Sequence, residues 1–129
     1  MPITVINPTE TYLSLSASGS ATALAGGDQF WSLPPAEIEA SGACWLVLEL
    51  EFSADWPTWE MHPNGDELVY LLSGSIVLHM KQREELLTIP IIGRGAVVIP
   101  RGVWHTAKVV EKSRILHVTM GAGTEVRDT

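Results

Sequence analysis

The sequence predicts an all-β, single-domain fold, either an antiparallel sandwich or a small barrel. Three observations carry this expectation. Apolar residues recur with a period of two, as in Leu46, Leu48, Leu50 and Phe52 with Glu49 and Glu51 between them. Clusters of Gly, Pro, Asn and Ser interrupt the alternation at short intervals. Helical periodicity is almost absent, and no repeat or linker marks a second domain within the 129 residues. Jelly-roll and up-and-down arrangements both satisfy this pattern.

Residues 1–16 alternate weakly (Ile3, Val5, then Tyr12, Leu13, Leu15) and fit one or two short edge strands. The small, polar run 16–28, with Gly19, Gly26 and Gly27, reads as a mobile loop. Phe30, Trp31 and Leu33 form an apolar patch stopped by Pro34-Pro35, and 37–40 has room for one helical turn. Strands are then expected at 46–52, 58–62, 67–72, 76–81, 86–92, 96–99, 104–110 and 114–120. Between the second and third of these, Asn64-Gly65 offers the positive φ of a tight hairpin. Ser73-Gly74-Ser75 and Glu111-Lys112-Ser113 read as further turns. The chain thus divides into strands and a mobile loop at 1–43, the main strand array at 44–120, and a tail at 121–129 expected to fray, all within one domain.

Composition excludes several function classes. The net charge of −7, with only 8 Lys and Arg, argues against nucleic acid and anionic membranes as partners. No apolar run approaches the roughly 18 residues needed to span a bilayer. Residues 1–10 show neither a basic nor an apolar region of a secretory signal, and a single cysteine, Cys44, allows no internal disulfide. A cytoplasmic protein is therefore expected.

The chemistry-bearing residues gather around one stretch. In 59–62 the side chains alternate, so Glu60 and His62 share a face, and a turn over 63–66 returns Glu67 toward His62. His105 follows the turn Pro100-Arg101-Gly102 at the start of another strand. Glu60, His62, Glu67 and His105 on one inner wall would offer two imidazoles and two carboxylates, a donor set suited to divalent Fe, Mn, Ni or Zn.

In these motifs the sequence resembles the cupin superfamily. That family's first motif has His-x-His, a Glu three or four residues on, and a Gly after six more. Here His62 fits the second histidine, four residues separate it from Glu67, and six more precede Gly74. The second motif's Pro-x-Gly-x-x-His is met by Pro100, Gly102 and His105. Three positions depart from the pattern: Glu60 replaces the first histidine, Arg94 the leading glycine of the second motif, and Val109 its final Asn. The resemblance implies a small jelly-roll (double-stranded β-helix) barrel with metal ligands at His62, Glu67 and His105. Glu60 has the face and reach to be a fourth ligand. The implied function is a metal-dependent enzyme acting on a small organic molecule, of oxygenase (such as a dioxygenase), isomerase or lyase type. The alternative is a non-catalytic small-molecule binding or sensing domain, with a structural metal or none.

Other residues receive plainer readings. His79 and His117 read as ordinary strand residues, Tyr70 as facing away from the cluster, and Cys44 as a small core residue. Trp59 and Trp104 are out of phase with Glu60 and His105, which places them on the outer face and suggests a homodimer contact. Trp31 fits a lid at the barrel mouth.

Overall fold

The structure, a computed structural model, describes residues 3–129. Its strands are β1 (Thr11–Leu15), β2 (Ala21–Ala25), β3 (Trp45–Phe52), β4 (Thr58–Met61), β5 (Glu67–Gln82), β6 (Glu85–Ile92), β7 (Gly95–Ile99), β8 (Trp104–Thr119) and β9 (Glu125–Asp128). Two short helices, α1 (Asp28–Trp31) and α2 (Pro35–Ser41), lie between β2 and β3. Pro35 opens α2, where its missing N–H is no loss and its fixed φ already suits a helix. No helix among the described residues is long and apolar enough to cross a membrane.

β5 and β8 organise everything else. They pair with each other antiparallel from Leu68↔Val118 to Lys81↔Trp104, and each is 16 residues long. Along its first half β5 also pairs with β7, and along its second half with β6. The C-terminal half of β8 pairs with β3, and its start meets β4 at Glu60↔His105. The two expected turns at 73–75 and 111–113 are therefore bends inside continuous strands, where the β5–β8 register shifts. The reason is local. Ser113 is fully buried, and its hydroxyl accepts from the Ser75 N–H (3.1 Å) and donates to the Glu111 carbonyl (2.7 Å). Gly74, at φ 98°, passes so close to Ser113 and the Lys112 carbonyl that no side chain fits.

The expected closed jelly-roll barrel is not what forms. The hydrogen-bonded path runs β2-β1-β3-β8-β4-β9, with β5, β6 and β7 branching from it, and no ladder joins its ends. Closure needs backbone pairing between edge strands. Among the described residues β6 and β7 pair only with β5, β2 only with β1, and β9 only with β4. The sheet is open, with two halves connected through the bent β5 and β8.

Three smaller expectations are also corrected. The 16–28 run contains β2, which pairs with β1 along its whole length. The tail does not fray: β9 pairs with β4 from Thr58↔Asp128 to Met61↔Glu125. Asn64-Gly65 closes no β4–β5 hairpin, since β4 pairs with β8 and β9, and Gly65 does not take a positive φ. Its lack of a side chain instead admits Met120 and the Trp45 ring, which a Cβ would meet at 3.0 and 3.2 Å.

The main core packs Val69, Leu71, Ile76, Leu78, Ile99 and Ile115 between the long strands. A second cluster, Tyr12, Phe30, Leu46 and Leu48, fastens the N-terminal strands and α1 onto β3. Between this N-terminal layer, β3 and the β4–β9 pair lies a cavity of about 490 Å³.

Candidate metal centre

Backbone pairing brings the polar residues to one end of that cavity. Glu60 and His105 face each other as direct partners on β4 and β8. The carbonyl of His62 accepts from the N–H of Gly102, tying the loop after β4 to the turn before His105. Asp66 accepts from the N–H of Arg101 at 2.9 Å and holds the same turn from the other side. Among the described residues, Glu60, His62 and His105 offer ligand atoms that all lie within 4.8 Å of one another, a cluster able to coordinate a divalent metal. Glu67 joins them through Oε1, 3.0 Å from His105 Nε2 and 3.5 Å from His62 Nε2, while Glu60 Oε2 is 3.8 Å from His62 Nε2. All four residues singled out from the sequence therefore converge. His62, Glu67 and His105 are buried, and Glu60 is partly exposed at the cavity wall.

The hydrogen bonds around the imidazoles fix which nitrogen carries the proton. His105 Nδ1 is 3.0 Å from the Val103 carbonyl, which can only accept, so Nδ1–H donates and, in the neutral ring, Nε2 keeps its lone pair. The Thr124 hydroxyl donates to the Gly121 carbonyl (2.6 Å), so it accepts from His62 Nδ1–H at 2.7 Å. Both rings therefore turn an Nε2 lone pair into the cluster. Those two nitrogens and Glu67 Oε1 are buried without a hydrogen-bond partner. Buried acceptors facing one another require a positive charge between them, either a proton or a metal ion. The buried, unpartnered acceptors and the mixed nitrogen–oxygen donor set fit a divalent cation.

Titration follows the same geometry. Burial pushes the Glu67 carboxyl up, but His105, His117 and His62 outweigh it and hold the group well below the ordinary carboxylate range. Burial pushes His105 down, but contact with Glu67 and its charge outweigh this and hold the imidazole above its ordinary range.

Three contributors were not read from the sequence. Thr119 donates to Glu67 Oε2 at 2.5 Å, and His117 Nδ1 stands 3.5 Å from the same oxygen, so Glu67 is gripped from behind while Oε1 stays free. Thr124 orients His62 as described. His117 was legible in principle, since it lies an even number of residues from His105 on β8 and so shares its face. The remaining readings vary. Tyr70 is engaged elsewhere, accepting from Arg94 Nε at 2.6 Å. The Trp59 and Trp104 rings are covered within the chain by Lys81 (4.6 Å) and Arg127 (3.9 Å). Trp31 lines the cavity, half exposed, with its indole N–H donating to the Tyr12 hydroxyl at 3.1 Å.

No protein-family model matches the sequence, and no curated protein matches it either. Solved structures do. A cupin superfamily protein from Desulfitobacterium hafniense is 17% identical, with a TM-score of 0.50 over 58% of this chain and 65% of that one. The iron(II) form of HppE in complex with substrate is 14% identical, with a TM-score of 0.50 over 58% of this chain. This chain spans 42% of the length of HppE. Peruvianin-I, a cysteine peptidase from Thevetia peruviana latex, is 14% identical, with a TM-score of 0.53 over 66% of this chain and 55% of that one. One fold thus carries unlike chemistries, and at these identities the likeness speaks to the fold alone. The chain has the cupin-superfamily fold.

Proposed function

We propose that this protein is a divalent-metal-dependent enzyme acting on a small organic molecule, with the ion held by Glu60, His62, Glu67 and His105. The observation that carries this reading is the convergence of two Nε2 lone pairs and Glu67 Oε1, buried and unpartnered, at the end of a cavity. A bound Fe, Mn, Ni or Zn ion would supply Lewis acidity and, for iron or manganese, redox chemistry of the oxygenase kind. The residues around it do the rest. Val103 and Thr124 keep His105 and His62 in the ligating tautomer. Thr119 and His117 hold Glu67 with one oxygen forward. Glu60, partly exposed at the wall, can reach both the ion and a substrate proton, the placement an isomerase or lyase base requires. The largely apolar cavity wall also suits a second reading, a non-catalytic small-molecule binding domain with a structural metal.

Elemental mass spectrometry on untagged protein purified without chelator tests the metal claim. About one equivalent of Fe, Mn, Ni or Zn per chain is expected. His62→Ala and His105→Ala should each lose it, and Trp59→Ala should retain it. Equal metal content in His62→Ala and the parent would overturn the assignment. Metal at full content with no turnover of any oxygen-bearing substrate would favour the binding domain.

A further inference from the structure

The cavity shows what kind of molecule this site would take. Its wall away from the cluster is apolar: Phe30 and Trp31 from α1, Ile38 from α2, Leu48 and Phe52 from β3, and Val126 from β9. No lysine or arginine side chain lines it among the described residues. The charged groups it does present are the carboxylates Glu39, Glu60 and Glu67. Glu39, on α2, is fixed in place by accepting from the Gly123 N–H at 2.7 Å. A phosphate or a second carboxylate on a ligand would leave water here and find no cation to meet it.

The cluster does not supply that cation either. On the reading given above, two carboxylates offset the two charges of the ion, so the loaded centre is neutral and Glu39 leaves the cavity acidic. Such a centre still accepts one neutral oxygen donor but offers no field that draws anions. The volume of about 490 Å³ lies in the ordinary range for small-molecule sites.

We infer that the ligand is a neutral, largely apolar molecule with a single hydroxyl or carbonyl end directed at Glu60, His62 and Glu67, and that phosphorylated or polyanionic molecules are excluded. The inference rests on the metal reading for the oxygen end and on the cavity wall for the body. 2-Naphthol and 2-naphthyl phosphate share a ring and differ in charge, which makes them the test pair. Binding of each to the full chain, zinc-loaded and metal-free, is followed by titration calorimetry and by tryptophan fluorescence, since Trp31 and Trp56 line the cavity. 2-Naphthol should bind the zinc-loaded chain about tenfold or more tightly than the phosphate, which corresponds to about 1.4 kcal/mol. Ile38→Arg, which places a cation at a partly buried wall position, should narrow or reverse that preference. Trp31→Ala should weaken 2-naphthol several-fold without changing zinc stoichiometry. Phosphate binding equal to or tighter than 2-naphthol, or no binding of either, overturns the inference while a zinc equivalent in the same sample leaves the metal reading standing. Preference for 2-naphthol in a chain that retains no zinc would sink the metal reading and overturn the oxygen-end part of the inference that rests on it, leaving the exclusion of anions by the apolar, cation-free wall.

Discussion

At the scale of single residues, the proposed metal centre sets a proton and a metal ion in competition for the space between His105 and Glu67. His105 is held above its ordinary 6.5, so its contribution to stability is complete below that value and is lost as pH rises through the raised pKa. Glu67 is held below its ordinary 4.5, so its contribution is complete above that value and is lost as pH falls through the lowered one. The pair thus stabilises the metal-free chain most between 4.5 and 6.5. Metal binding runs the other way, because the ion needs neutral His105. The thermal stabilisation given by added zinc should therefore grow as pH rises through the raised His105 pKa, and a shift that is flat with pH would contradict this pairing. Thr124→Val removes the acceptor that sets the His62 tautomer, so zinc affinity in a chelator competition should fall about tenfold. The ligand candidates were legible because alternation joins Glu60 to His62 and the turn residues around Gly65 and Gly102 mark where chains cross. The alternation along β8 also links His117 and Thr119 to His105, but a turn expected at 111–113 breaks that phase and hides them. Thr124 was not legible because its role depends on β9 folding back beside β4.

At the scale of elements, the two bent strands decide the architecture. Gly74→Ala places a methyl group against Ser113 and the Lys112 carbonyl in a left-handed backbone, and should cost about 2 kcal/mol or more in denaturant unfolding. Nearby, the buried Glu49 on β3 accepts from Arg114 Nε (2.8 Å) and pairs with its Nη2 (2.5 Å), across the β3–β8 ladder. Arg114→Ala leaves that carboxylate unpaired, and about 1–3 kcal/mol of destabilisation is expected in denaturant unfolding. These bends were misread from the sequence for a physical reason. Gly74, Ser75 and Ser113 are turn residues by type, yet here the Ser113 hydroxyl meets the backbone N–H and carbonyl of Ser75 inside a strand pair. β9 escaped notice because all four of its residues are exposed, so no apolar alternation announces it. β3, with Leu46 and Leu48 buried behind Glu51, was plain from its period of two.

At the scale of the whole molecule, the open sheet and the cavity belong together. β5 and β8 carry the core, β3, β9 and the N-terminal layer supply an apolar wall, and β4 and the start of β5 bring the carboxylates Glu60 and Glu67 to the cavity. Period-two patterning foretold a β-rich fold, but it reports only which face of a strand is buried and not whether edge strands meet. That is why closure was expected and is not found. The central claim is that Glu60, His62, Glu67 and His105 enclose one divalent ion, and anomalous diffraction from crystals grown with zinc tests it most directly. A single strong anomalous peak is expected at the cavity end, about 2.0–2.2 Å from His62 Nε2, His105 Nε2 and a carboxylate oxygen of Glu67. An ordered site with no anomalous signal there, and a proton-bridged His105–Glu67 pair in its place, would contradict it.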